Sequence, residues 1–290
     1  MKVPKPSTNG KSRLKRDPKG ALAKKLSHFP WFQHDEPYVN HLGYNGDYIP
    51  FAYQAGIPSI DLRFIDAEHN ISRIYPTRGT GYDNLQYYEK FDKDAKFLET
   101  CSQVLVYLIR QLSDSLILPF DIEAYSEVLN EAFRNIRDFS EQSMEEIEGV
   151  ADSDRSFQEH LDSNDVSFDL LKDGIDDFKK QAEDWEKSLE TLDKSNPIVI
   201  RMLNDQMMQL EKVFLAPTGH VIFSPKHNSR YGQAIFPGLV NLLQEFNHLP
   251  TQDRRDQWEE TGWEYLKRNV TEIYVCIVQA TSLLKPLHNI

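Results

Sequence analysis

The chain has 290 residues, 40% of them hydrophobic, which allows one large or two ordinary domains with a real core. Its net charge of −12 is uneven: residues 1–30 hold nine Lys or Arg against one Asp, a net of +8, and leave −20 for residues 31–290. A body that acidic repels nucleic acid and anionic membrane, and the longest apolar run, Val104–Ile109, is too short to span a bilayer.

The first thirty residues lack the apolar stretch of a signal peptide and read as a basic arm punctuated by Pro and Gly. Lys11–Arg16 (KSRLKR) suits a nuclear signal, a processing site or a polyanion-binding run, and equally a solvated tail. His28, His34, Asp35, Glu36 and His41 crowd the next stretch at spacings that match no metal motif. From Leu42 the texture changes. A Gly-rich turn, a short helix over 47–54, a break at Gly56-Ile57-Pro58 and a strand over 59–64 make one αβ unit. A lone strand leaves both backbone edges unpaired, so this reads as an incomplete α/β segment.

Residues 65–83 read as a loop. Its Gly79 and Gly81 have neither the preceding strand nor the following helix of a phosphate-binding turn, so an ordinary tight loop is the better reading. A helix is predicted from Asn84 to Leu112, ending before Leu118-Pro119-Phe120-Asp121.

Apolar residues then step by three and four in four segments. The first runs from Ile122 to Phe139 and the second from Phe168 to Leu192. The third, from Ile200 to Phe214, starts behind a Ser195/Asn196 cap and Pro197. The last runs from Trp263 to Leu287. Four such helices predict a mainly α architecture ending in an antiparallel bundle. The acidic stretch Glu141–Asp165 is predicted as an exposed loop. Ala216–Pro237, which contains HNSRYGQ, is predicted as a long loop of functional interest. Cys101 and Cys276 fall inside apolar helical patterns and read as buried free thiols.

Five segments carry a family resemblance: GIPSIDLRF (56–64), YPTRGTGYD (75–83), LPFDIEAYSEVL (118–129), SNPIVIRMLNDQMMQLEKVFL (195–215) and HNSRYGQAIFPGL (227–239). Together they resemble the glutamate carboxypeptidase and transferrin receptor family. Its members are cell-surface type II membrane glycoproteins with a zinc aminopeptidase-like domain and a C-terminal helical dimerisation domain. The resemblance implies a basic arm and linker at 1–39, the last part of a peptidase domain at 40–118, and a helical dimerisation domain at 119–290. Any membrane anchor of the family type would lie in a segment absent from this sequence.

Active members are di-zinc carboxypeptidases, in which two metals and a Glu base activate a water against peptides ending in glutamate. The resemblance implies that most of those ligands lie upstream of the region represented here. One His ligand belongs in the loop after Tyr75-Pro76, and Gly79 stands in its place. The family's Lys–Tyr substrate clamp corresponds to Arg230–Tyr231, with the charge kept. Of two clamp arginines, Arg63 matches one and Asp61 stands at the other, while Gly46 replaces an Asn. Two readings stay open: a vestigial anion pocket, or Arg230 in a surface ion pair with Arg63 structural. Asn70-Ile71-Ser72 and Asn269-Val270-Thr271 are candidate glycosylation sites.

The expectation is therefore a chain without catalytic residues or zinc, acting as a homodimer or by binding a protein ligand, and not nucleic acid. The alternative is a truncated chain of a zinc-dependent glutamate carboxypeptidase.

Overall fold

The computed structural model describes Leu42, Thr77, Leu161, Ser163 and residues 46–62, 79–90, 92–148, 165–217, 219–224, 234–247 and 252–285. They divide into two units: residues 60–119, and a helical unit in which residues 46–59 join 120–290.

In the unit 60–119, Leu85–Tyr88 forms α1 and Lys96–Asp114 forms α2. Asn84 caps α1, its side chain accepting from Tyr87 N at 3.0 Å. The sequence predicts one helix over 84–112, and the structure breaks it in two. Asp92 is the reason: its carboxylate accepts from the amides of Phe97 and Leu98 at 3.0 and 2.9 Å and from the Tyr88 hydroxyl at 2.8 Å. Two of the amides orphaned at the start of α2 are thereby satisfied, and the chain turns through Ala95 at φ 55°. The α2 sequence is amphipathic, yet Leu98, Leu105, Val106 and Ile109 are exposed. The strand expected at 59–64 is not formed at its described residues, 59–62, and residues 63–64 lie outside the description. No described strand flanks them, and an unpaired strand has no hydrogen-bonding reason to form.

The helical unit holds Ile122–Glu148 (α3), Asp169–Thr191 (α4) and Pro197–Val213 (α5). Four two-residue strands follow: Leu215–Ala216 (β1), Gly219–His220 (β2), Phe223–Ser224 (β3) and Ala234–Ile235 (β4). Pro237–Asn247 (α6) and Gln252–Leu283 (α7) complete it. The expected cap at Asn196 is in place, and Asp121 supplies a second one at the start of α3. Asp121 Oδ1 accepts from Ala124 N at 3.0 Å, and Asn196 Oδ1 accepts from Ile198 N at 3.0 Å behind Pro197. The acidic stretch predicted as a loop is helical through Glu148. Residues 149–160 lie outside the description, and Leu161 and Val166 at the far end are buried.

The three-four stripes form the core. Phe178 and Trp185 of α4, Met207 and Leu210 of α5, and Leu266 and Ile277 of α7 are all buried. Each is worth about 1.5–3 kcal/mol of apolar burial. Helices α3 and α4 run antiparallel, with Glu123 N donating to Glu186 Oε1 and Tyr125 packed edge-on to Phe178. Helices α4 and α7 instead run parallel to each other: Asp165 meets Lys267, Gly174 meets Tyr274, and Gln181 meets the Leu284 carbonyl. Gly174 sets that crossing, since a Cβ there would lie 3.0 Å from the Tyr274 ring.

Residues 46–59 belong with the helices. Pro50–Gln54 forms a single π-helical turn where the sequence predicts a helix over 47–54. Tyr48, Ala52 and Tyr53 of this segment pack with Phe223. Gly56, at φ +59°, lies so close to α5 that a Cβ would sit 2.7 Å from Lys212 Cα, so only glycine fits. No described helix is long and apolar enough to cross a membrane.

Candidate functional site

Sequence reasoning directs attention to two places, the turn at 75–83 and the loop holding Arg230–Tyr231. In the first, Gly79 has φ +73°, and its amide donates to Asp83 Oδ2 at 3.1 Å. The Thr80 hydroxyl donates to the Thr77 carbonyl at 2.7 Å and accepts from Tyr82 N at 3.2 Å. The turn is thus closed by its own side chains. A Cβ on Gly79 would meet nothing within 4 Å, so a side chain there would point into open space from a strained backbone. Among the described residues no group of three His, Cys, Asp or Glu could hold a metal.

Arg63, Asn70, Arg230 and Tyr231 lie outside the described residues. What is visible is the base of the loop that carries Arg230–Tyr231. Phe223 and Ser224 pair antiparallel with Ile235 and Ala234, and Phe236 N donates to Ile222 O at 2.9 Å.

Beneath this base lies a buried polar hub that the sequence did not reveal. The β1–β2 hairpin turns through Gly219 at φ +116°, which delivers His220 into the core. His220 Nδ1 faces the amides of Ile222 and Phe223 at 3.3 and 3.1 Å, so it accepts, and the ring proton resides on Nε2. That nitrogen donates to Glu211 Oε1 at 3.1 Å, while the Tyr125 hydroxyl donates to Glu211 Oε2 at 2.9 Å. Aromatic rings enclose the group: Phe214 stacks on Tyr125 at 5.1 Å, and Phe223 lies 5.4 Å from the His220 ring. Burial pushes the Tyr125 phenol well above its ordinary pKa, and the Glu211 carboxylate adds to the shift. Tyr53 is pushed up in the same way by burial, then by Tyr48 and Glu211, and its hydroxyl donates to the Leu42 carbonyl at 2.7 Å. Both nitrogens of His220 and both oxygens of Glu211 are engaged. The hub braces the hairpins and leaves no free acid or base. The only signals for it in the sequence are a glutamate beside the apolar stripe of α5 and a tyrosine within that of α3.

Between Pro50–Gln54, the hairpins, α6 and α7 lies an open cleft of ≈ 570 Å³. Its walls include apolar Ile49, Val221 and Ile273, the carboxamides of Asn241 and Asn269, and Glu272. Asn269, the second sequon, is half-buried. Its Nδ2 donates to the Tyr265 carbonyl at 2.8 Å, and its Oδ1 would sit 2.1 Å from a Cβ on Gly238. Its carboxamide thus lies directly against Gly238 in the first turn of α6.

Residues 166–285, from the start of α4 to the end of α7, match one family model along their whole length. The model is that of the transferrin receptor-like dimerisation domain, to which this segment is similar. The chain is also similar to the aminopeptidase NAALADL1 of Rattus norvegicus, 28% identical over 263 residues that cover 87% of this chain and 32% of the relative. The probable glutamate carboxypeptidase VP8 of Zea mays is 23% identical, over 76% of this chain and 29% of the relative. The probable glutamate carboxypeptidase LAMP1 of Arabidopsis thaliana is 25% identical, over 87% and 33%. The chain thus spans about a third of the length of these relatives. The family expected from the sequence is the one found, and the dimerisation domain is helical as expected.

Proposed function

We propose that this chain acts by self-association through its dimerisation domain, pairing as a homodimer and offering a surface to protein partners, and that it is not itself a zinc peptidase. The observation that carries the reading is the match of a dimerisation domain to the whole packed α4–α7 assembly. The rest follows from donor chemistry. The position where the resemblance calls for a zinc-binding His is Gly79, whose amide donates to Asp83 Oδ2 while the Thr80 hydroxyl bonds the Thr77 carbonyl and the Tyr82 amide. A second reading, as part of a zinc-dependent glutamate carboxypeptidase, draws on the names and greater length of the similar proteins. The experiment is joint: sedimentation velocity and elemental analysis on the 290-residue chain. A dimer free of stoichiometric zinc and inert toward acidic dipeptides is expected. One or two tightly held zinc ions with hydrolysis would establish the second reading instead, and a folded monomer would end the first.

A further inference from the structure

His220 sits at the joint between the two hairpins. It ends β2, and the turn that follows leads through Val221 and Ile222 into β3. Its side chain is fully buried. Nδ1 accepts from two backbone amides at once, those of Ile222 and Phe223 at 3.3 and 3.1 Å, and only a neutral imidazole offers that lone pair. Nε2 lies 3.1 Å from Glu211 Oε1, whose companion oxygen is held by the Tyr125 hydroxyl. A second ring proton therefore changes the two sides of the imidazole in opposite senses. On the Nε2 side the contact with Glu211 becomes a pair of opposite charges. On the Nδ1 side a third N–H is set against two others, and none of the three can accept.

We infer that His220 is a proton-operated latch on the turn between β2 and β3. The neutral ring closes the turn, and the protonated ring stays with Glu211 and lets the two amides go. The titratable groups around it leave that division intact. Tyr125 reaches Glu211 from α3, and Lys212, beside Glu211 on α5, packs on Gly56. Tyr53 turns its ring edge to His220 and donates its hydroxyl to the Leu42 carbonyl, with Tyr48 edge-on behind it. Glu272 of α7 lines the cleft that His220 also borders. Among the described residues Glu211 is the one carboxylate bonded to the ring. Released amides cannot stay buried and unpaired, so the turn opens to water when the ring lets go. What opens is the root of a longer loop: Phe223 pairs with Ile235 in the β3–β4 hairpin, and the chain between them carries Arg230–Tyr231. The latch thus makes the anchorage of that loop sensitive to acid.

The test is a titration of the full chain from about pH 8 to 5, the range in which imidazoles exchange a proton. NMR of the His220 ring reads its protonation. Hydrogen exchange, corrected for the intrinsic effect of pH, reads the protection of the Ile222 and Phe223 amides. Both amides are expected to lose protection about tenfold or more at the midpoint of the ring's own titration, while α4 stays protected. His220→Gln keeps a donor and an acceptor but takes up no proton, and is expected to show no such step. A protonated ring with both amides still protected would overturn the latch, and so would the same step in His220→Gln. Loss of protection in α4 at the same midpoint, or a ring that takes up no proton until α4 unfolds, would also end it. The titration of the native chain decides the matter by itself should His220→Gln fail to fold.

Discussion

The units at 60–119 and in the helical body are both rich in helix, but they are held together at different ranges. In 60–119 the hydrogen bonds that define the described structure join neighbours: Asn84 with Tyr87, Gly79 with Asp83, Asp92 with Phe97 and Leu98. In the helical unit they cross the chain. Tyr125 reaches Glu211, Gln181 reaches the Leu284 carbonyl, and Gln206 donates to the Leu283 carbonyl at 2.6 Å. The apolar residues tell the same story. Leu105 and Ile109 of α2 stand about half exposed, whereas Phe178 and Trp185 of α4 are sealed. Amphipathic sequence is thus enough to make a helix in both places, and only long-range burial turns it into a core.

The largest effect expected from this contrast comes from truncating one apolar side chain in each unit. Phe178→Ala is expected to destabilise the helical unit by about 3–5 kcal/mol, because transfer and cavity costs add at a fully buried ring. Leu105→Ala, at a position 49% exposed, is expected to stay within about 0.5 kcal/mol. Urea unfolding of the full chain, followed by circular dichroism, measures both. Similar losses at the two positions would mean that α2 has a buried partner in solution and that the contrast is false.

A smaller effect is expected at the polar hub. Tyr125→Phe removes the donor to Glu211 Oε2 and leaves that oxygen under the aromatic rings, a loss of about 1–3 kcal/mol. The substitution also carries a pH signature. The Tyr125 phenol is raised in the folded protein, so its contribution is fully present below the unfolded value of about 10 and is lost as pH rises through the folded one. The native chain should therefore lose stability above about pH 10 more steeply than Tyr125→Phe, as thermal melts at stepped pH would show. Parallel alkaline limbs would separate the phenol from the stability of the hub.

Most of the helical framework could be read from the sequence because its signals are local and repeated. The caps at Asp121 and Asn196, Pro197 at the first helical position, and the stripe from Ile200 to Phe214 are each visible within a few residues. The hub was not legible, because Tyr125 and Glu211 meet across 86 residues and His220 enters only after a two-residue hairpin has turned. Helix α6 was missed for a related reason: it follows the loop directly at Phe236-Pro237-Gly238, where Pro and Gly read as turn punctuation. The break between α1 and α2 was legible in principle. Asp92 precedes the amides it satisfies by five and six residues, farther than the usual cap spacing, and the apolar run beyond it masked the signal. The turn at Gly79 is a different case: resemblance, not a local pattern, directed attention to it, and its described geometry is set by bonds among Thr77, Gly79, Thr80, Tyr82 and Asp83.

The smallest and most local effect is expected at Asp92. Desolvation opposes its charge, but the amides of Phe97, Leu98 and Lys96 and the Tyr88 hydroxyl together hold its carboxyl below the usual Asp value. A depressed folded pKa means that the contribution is present above the ordinary value of about 3.9 and is lost as pH falls through the folded one. Acid should therefore fray the first turn of α2 while α3, α4 and α7 remain folded. Asp92→Ala should reproduce that fraying at neutral pH, since no side chain is left to accept from the two leading amides. Hydrogen exchange on the full chain resolves the two units separately. The Phe97 and Leu98 amides should exchange several-fold faster in Asp92→Ala, with no change in α4 or α7. Faster exchange in those helices as well would show that the two units unfold as one, and the difference in range between them would then have no consequence for stability.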